Sequence, residues 1–192
     1  MAELKEFIAD LFCGVDERAE QAALQLPRYA DEALPILLEK SSSPNADTRW
    51  WAIRALALIP SPLAVQVFIE RLQDPDISVR QCAALALRHQ PSFAAVPQLI
   101  ESLSSSDSLL ARLAGDALIA VGAQAVPDLL LVMQDGTQSA RIEAARALAL
   151  IGDPRAIPAF YQALYEDSTL LEYWASEGLD RLGVGTILIQ PD

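Results

Sequence analysis

The stretch Ala140-Arg141-Ile142-Glu143-Ala144-Ala145-Arg146-Ala147-Leu148 decides the fold, because it recurs as Val79-Arg80-Gln81-Cys82-Ala83-Ala84-Leu85-Ala86-Leu87. Related stretches begin near Arg18, Arg49, Arg112 and Glu172, and the successive steps are 31, 31, 32, 29 and 31 residues. A second marker, a proline that follows Ala and an aliphatic residue, occurs with a related spacing at Pro35, Pro97, Pro127 and Pro158. Two markers with one period indicate an internal repeat.

Each repeat has the pattern of two α-helices. The first helix begins at a turn and carries a proline near its N-terminus, where no intrahelical N–H is lost. The second has small or apolar residues at Ala140, Ala144 and Leu148, and it ends at Gly152. We therefore predict six helix pairs, at residues 3–13/16–26, 31–40/46–59, 62–73/76–89, 92–103/107–121, 123–134/138–151 and 155–166/169–182.

Helix pairs that repeat at this period stack into a solenoid, because each pair buries its apolar face only against its neighbours. The sequence therefore predicts an all-α fold, an α-solenoid of about six helix pairs (an α/α superhelix). We expect one solenoid domain over residues 1–182. The tail, residues 183–192, contains the apolar residues 186–189, and we expect it to dock on the last pair.

The composition disfavours several classes of partner. Lys and Arg number 14 against 26 Asp and Glu, a net charge of -12. Binding to nucleic acid or to an anionic membrane surface needs a basic footprint, so neither is expected. The two cysteines do not form a disulfide framework, the N-terminus lacks the pattern of a signal peptide, and no apolar run predicts a transmembrane helix. We expect a cytoplasmic protein.

The repeat also resembles a known family. The unit Val79-Arg80-x-x-Ala83-Ala84-x-x-Leu87, together with Ile151-Gly152-Asp153-Pro154-Arg155-Ala156-Ile157-Pro158, resembles the HEAT-like repeat of the cyanobacterial phycobilisome (phycobilin) lyase type. The resemblance covers about residues 16–182. It is specific for the repeat scaffold, and a scaffold does not by itself specify an activity.

HEAT repeats place an Asp six residues before the Arg that begins the second helix. Asp74/Arg80 and Asp135/Arg141 fit this spacing, and we interpret these residues as a ladder of contacts between repeats. Three repeats depart from the pattern, at Ser43/Arg49, Ser106/Arg112 and Glu166/Glu172.

No group of residues predicts a catalytic or metal site. Deoxyhypusine hydroxylase, an enzyme with HEAT-like repeats, holds two irons with several His-Glu pairs, whereas this chain has the single histidine His89, followed by Gln90. The spacings of a zinc site, a nucleophile elbow and a phosphate-binding loop are also missing. We interpret His89 as a surface or capping residue, and Cys82 and Cys13 as core residues.

The second helices carry the candidate binding surface. Positions one, five and eight after the marker Arg share one helix face, and in this fold family the second helices line the concave side. Large aromatic and Arg side chains on an exposed face are typical of binding hot spots. Trp51 and Trp174 lie beside this face and either extend it or fill gaps between repeats. The residues predicted to bind a ligand or partner are Trp50, Arg54, Arg88, Arg146, Tyr173, Glu177 and Asp180.

The resemblance implies a phycobilin lyase subunit that assists bilin attachment to phycobiliproteins, or chaperones them, in phycobilisome biogenesis or turnover. It implies no intrinsic cofactor but a transient open-chain tetrapyrrole, phycocyanobilin, with Arg for its propionates, a carboxylate for its pyrrole N–H groups and aromatic walls. The partner on the concave groove is then a phycobiliprotein subunit or a second HEAT-like subunit. The alternative is a non-enzymatic protein–protein adaptor in photosystem or metal-cofactor assembly.

Overall fold

A computed structural model describes residues 2–184, which form twelve α-helices and no β-strand. In chain order the helices form six pairs close to the predicted positions, which confirms the all-α fold of HEAT-like helix pairs. The helices are α1 Ala2–Leu11, α2 Asp16–Gln25, α3 Ala30–Lys40, α4 Ala46–Leu56, α5 Pro62–Arg71, α6 Ile77–His89, α7 Val96–Ser102, α8 Ser108–Val121, α9 Val126–Asp135, α10 Gln138–Ile151, α11 Ile157–Ala163 and α12 Thr169–Arg181.

The chain divides into two compact units, Met1–Gln90 and Pro91–Asp192, and each contains three helix pairs. In the first unit, α4 packs against α3 and α6. In the second unit, α10 packs against α8, α9 and α12. The expected docking of residues 183–192 concerns a tail of which residues 185–192 lie outside the described part of the chain.

Short 3-10 turns begin the first helices of the second unit. They cover Phe93–Ala95, Gly122–Gln124 and Pro154–Ala156, so α7, α9 and α11 begin later than the sequence pattern predicts. Each of these helices carries its marker proline in the first turn, as predicted. Pro35 differs, because it lies inside α3, which begins at Ala30 directly after a 3-10 turn.

Small residues let neighbouring helices approach closely. The second helices bury alanines on their packed faces, including Ala52 and Ala83 in the first unit and Ala144 in the second. One close approach is at Gly178 on α12, where an added Cβ atom would lie 2.5 Å from the ring of Phe160 on α11. The close packing of α11 against α12 therefore requires a residue without a side chain at position 178.

An arginine–carboxylate contact joins consecutive repeats in each unit. Arg49 donates from Nε and Nη2 to the two carboxylate oxygens of Asp74, at 2.8 and 2.6 Å, and both side chains are buried. Arg141 forms the equivalent ion pair with Glu166, also 25 residues further along the chain.

The predicted ladder therefore has a different register. Arg80 does not bind the carboxylate of Asp74 but donates to the backbone oxygens of Asp74 and Pro75, at 2.6 and 3.1 Å. Asp74 and Glu166, each six residues before a marker position, thus bind the marker Arg of the preceding repeat. These contacts explain two departures from the sequence pattern. At Glu166 an acid is retained, and it pairs with Arg141 of the preceding repeat. At Ser43 no acidic side chain is needed by Arg49, which binds the carbonyl oxygen of Ser43.

We predict that Asp74→Asn lowers the free energy of unfolding at pH 7 by about 3 kcal/mol, because it leaves the buried guanidinium of Arg49 without its counter-charge. Burial is the largest single influence and would raise the pKa of Asp74, but the hydrogen bonds from Arg49, from the backbone N–H of Asp76 and from Arg71, together with the charge of Arg49, hold the pKa below the ordinary 3.8. A carboxylate with a lowered folded pKa stabilises the protein above its unfolded pKa, and this stabilisation is lost as the pH falls through the folded pKa.

Urea unfolding between pH 3 and pH 7 measures both effects. The variant should lose less stability than the parent as the pH falls below about 4. Asp31→Asn, an exposed acid in the first turn of α3, serves as the control. Equal unfolding free energies for the two variants would contradict the ladder.

Gly178→Ala is expected to destabilise the protein by about 1–3 kcal/mol, since the new methyl group overlaps the buried ring of Phe160. In an exposed helix interior, alanine is favoured over glycine by about 1 kcal/mol. A loss of stability in Gly178→Ala would therefore indicate the overlap with Phe160, since the substitution would otherwise stabilise the helix. Thermal unfolding compares it with Ser176→Ala, at an exposed position of the same helix. A stabilised Gly178→Ala variant would show that α11 and α12 are not in close contact.

Candidate functional site

The predicted binding residues fall in both units. Trp50 and Arg54 on α4 and Arg88 on α6 belong to the first unit. The remaining predicted residues, Arg146, Tyr173, Glu177 and Asp180, belong to the second unit.

In the first unit, Trp50 lies at a cavity of about 620 Å³ that opens to solvent. Trp50 is half-buried, and its ring meets the ring of Trp51 edge-on with a centroid distance of 4.8 Å. Trp51 is only 5% exposed, so it fills the core and also forms part of the cavity wall. The cavity is lined by Asp16, Glu20, Ala46, Asp47, Trp50, Trp51, Asp76 and Ser78.

Four carboxylates beside the two tryptophans are the feature that the sequence analysis missed. Asp16, Asp47 and Asp76 lie at the N-terminal ends of α2, α4 and α6, which meet at the cavity, and the fourth, Glu20, lies in the second turn of α2. Asp16, Asp47 and Ser78 each stand two residues before a marker Arg, so they occupy one position of the repeat. Two of the four carboxylates, Asp16 and Asp47, could therefore have been found at position minus two of the repeat.

The two arginines predicted for this face have different environments. Arg54 forms an ion pair with Glu20 from α2, so its charge is compensated at the cavity edge. Arg88 is exposed in the last turn of α6. Of the predicted basic groups in the first unit, Arg88 is thus the one on an exposed face.

In the second unit, the expectation that Arg146 lies on an exposed groove is wrong. Its side chain is 1% exposed and donates to Glu143 at 2.7 Å, to Asp116 at 2.8 Å and to the carbonyl oxygen of Arg112 at 3.1 Å. Gly115 makes this burial possible, because a Cβ atom there would lie 2.6 Å from Nη2 of Arg146. Arg146 therefore links α8 to α10 and is not available to a ligand.

The other predicted residues of the second unit share α12. Tyr173 is 56% exposed and meets Trp174 edge-on, at a centroid distance of 5.0 Å. Glu177 accepts a hydrogen bond from Nε of Arg181 at 2.7 Å, and Asp180 is exposed. The helix therefore presents an aromatic ring and carboxylates to solvent. Arg146, the arginine predicted to bind together with them, is buried.

The two cysteines and the histidine differ in their exposure to solvent. Cys82 is buried as expected, and burial raises the pKa of its thiol to about 12, so it is neutral at pH 7. Cys13 was expected in the core but is exposed, because α1 ends at Leu11. His89 is exposed at the end of α6.

Residues 2–184 show neither a metal-binding cluster nor a membrane-spanning helix. In this part of the chain, no three His, Cys, Asp or Glu side chains are arranged as metal ligands would be. No helix among these residues has both the length and the apolar character required to cross a bilayer.

The repeat is recognised in comparisons with known proteins. Residues 16–88, 31–119 and 96–180 match a family model described as HEAT repeats. No curated protein sequence matches the chain.

Several solved structures share the fold. The complex of CpcE and CpcF of phycocyanin lyase from Nostoc sp. PCC7120 has a TM-score of 0.57 at 23% identity, over 94% of this chain and 77% of that chain. A designed armadillo repeat protein in complex with the peptide (KR)4 has a TM-score of 0.57 at 16% identity, over 94% and 99% of the two chains. Human deoxyhypusine hydroxylase in complex with glycerol has a TM-score of 0.54 at 21% identity, over 94% and 73%. At these identities the likeness establishes the fold.

Arg146→Lys is predicted to lower the free energy of unfolding by about 3 kcal/mol, because one ammonium group cannot replace three guanidinium contacts in a buried position. Arg28→Lys, at an exposed position, should change the stability by less than about 0.5 kcal/mol. Chemical unfolding of the two variants measures the difference. Equal stability would contradict a structural role for Arg146.

Proposed function

The chain belongs to the HEAT-repeat family, and we propose that it works by binding a protein partner, as a subunit that assists bilin attachment to phycobiliproteins or chaperones them in the cytoplasm. The observation that carries this proposal is the solvent-open cavity at Trp50, where indole rings and carboxylates come together on three successive second helices. Exposed aromatic side chains beside charged groups are typical of binding hot spots.

The resemblance of the repeat to phycobilin lyases supports the finer part of the proposal. The match to the complex of CpcE and CpcF covers 94% of this chain and 77% of that chain. In that complex two phycocyanin lyase subunits associate. In this reading the reactive cysteine belongs to the phycobiliprotein, and the HEAT chain supplies only a binding surface. The neutral, buried thiol of Cys82 is consistent with that division of roles.

The first unit has the groups that a transiently bound open-chain tetrapyrrole requires. Trp50 offers an aromatic wall, and the carboxylates at the cavity can accept hydrogen bonds from pyrrole N–H groups. Arg88 is exposed and can offer its guanidinium group to a propionate, and Arg54 forms an ion pair with Glu20. On this proposal the pigment contacts Trp50 and Arg88, and Arg146 has no part in binding.

The second candidate function is a protein–protein adaptor that binds no pigment. The ion pair between Arg54 and Glu20 favours it, because that pair occupies one of the arginines that a propionate would need. The burial of Arg146 has the same consequence in the second unit. Both candidates use the surface at Trp50, and they differ in whether a tetrapyrrole is bound.

Titration of phycocyanobilin with the protein, followed by visible absorption, separates the two candidates. We predict a shifted and sharpened spectrum, weakened about tenfold by Trp50→Ala because an aromatic wall is lost. Tyr165→Ala is the control, since Tyr165 is 89% exposed and is not one of the residues that line the cavity.

Immobilised protein should also capture a purified phycobiliprotein subunit, and Trp50→Ala should weaken this capture. Capture without any spectral change would favour the adaptor. An unchanged spectrum together with no capture of the phycobiliprotein subunit would contradict the proposed function.

A further inference from the structure

The cavity at Trp50 has a charge opposite to the one expected from the sequence. Its carboxylates belong to Asp16, Glu20, Asp47 and Asp76. Within residues 2–90 the structure records one ion pair to this set, from Arg54 to Glu20. Three carboxylates therefore remain without an ion-pair partner at the cavity.

The helix ends that meet here compensate only part of this charge. Asp76 is the N-cap of α6 and accepts hydrogen bonds from the backbone N–H groups of Ser78 and Val79, at 2.9 and 3.2 Å. Each of the three helix N-termini contributes about half a positive charge. Three carboxylates against three half-charges leave the cavity negative, so these acids are more than is needed to stabilise the helix ends.

The two tryptophans also favour a positively charged ligand. Trp50 and Trp51 both line the cavity, and their rings stand nearly perpendicular, at 82°. The face of an indole attracts cations, and a guanidinium group both stacks on it and donates hydrogen bonds to carboxylates. A cavity of about 620 Å³ is large enough for a side chain and the backbone that carries it.

We propose that this cavity binds an arginine side chain presented by a short basic segment of the protein partner. The guanidinium group stacks on the indole of Trp50, and its N–H groups donate to the carboxylates of Asp16 and Asp47. The inference rests on the proposed function in one respect, that the partner is a protein, and it specifies the chemistry of the segment that enters the cavity.

Binding of the hexapeptides (RG)3, (KG)3 and (QG)3 to the full chain, measured by calorimetry at two salt concentrations, tests the proposal. We expect (RG)3 to bind more tightly than (KG)3, although the two carry equal charge, because only arginine both stacks and forms a planar fork of hydrogen bonds. The neutral (QG)3 should not bind. Added salt should weaken (RG)3 binding, since part of the attraction is electrostatic.

Matched variants assign the binding to the cavity. Asp47→Asn should weaken (RG)3 binding at least threefold, whereas Asp31→Asn should leave it unchanged. Both positions are exposed acids in the first turn of a helix of the first unit, but only Asp47 lines the cavity. Trp50→Leu, with its fold checked by circular dichroism, should reduce the affinity about tenfold and remove the preference for arginine over lysine.

Equal effects of Asp47→Asn and Asp31→Asn would overturn the proposal, because they would show attraction to the net charge of the chain. Equal affinities for (RG)3 and (KG)3 would overturn it as well. The proposed function fails separately, through the phycobiliprotein and phycocyanobilin measurements. Arginine-dependent binding at Asp47 without phycobiliprotein capture would support the cavity assignment and reject the phycobiliprotein as its source.

Discussion

The fold of the first unit depends on the buried contact between Arg49 and Asp74. The guanidinium group of α4 binds both oxygens of a carboxylate that stands between α5 and α6, so one side chain fixes the second helices of two consecutive repeats. The same carboxylate accepts the backbone N–H of Asp76 at 3.0 Å, and Asp76 caps α6. Because Asp76 lines the cavity at Trp50, the ladder contact also positions one wall of the candidate site.

The arginines of this chain are largely used within the fold. Arg49, Arg54, Arg141 and Arg146 each bind an acidic side chain of a neighbouring helix or repeat. The acids outnumber the bases, so many carboxylates remain on the surface, and at the cavity they stand beside aromatic rings. A surface of this kind attracts cationic groups. Arg146, which was expected on a binding surface, is instead buried within the fold.

The repeat pattern predicted the helices well because it reflects local and periodic constraints. Proline near the start of a first helix and glycine after a second one fix helix ends directly, as at Pro127 and Gly152. The ladder register and the burial of Arg146 were not predictable in this way. Both depend on which residues of the adjacent repeat face a guanidinium group, and for Arg146 the deciding feature is the space left by Gly115 on another helix.

The candidate site was predicted in part for the same reason. Trp50 was found because large aromatic residues on the second helices are rare and stand out. The acids at Asp16 and Asp47 were passed over because acidic residues are common at helix N-termini, where they stabilise the helix without any ligand. Only the meeting of three helix ends at one cavity distinguishes them, and that meeting is a property of the stacked repeats.

The central claim, that the first unit recognises a basic segment at Trp50, is tested most directly by the indole N–H resonances of the three tryptophans. They are recorded by NMR while the peptide (RG)3 is added to the full chain. The account predicts that the resonance of Trp50 shifts progressively while that of Trp174, in the other unit, stays in place. A resonance of Trp50 that does not move as the peptide binds would contradict it.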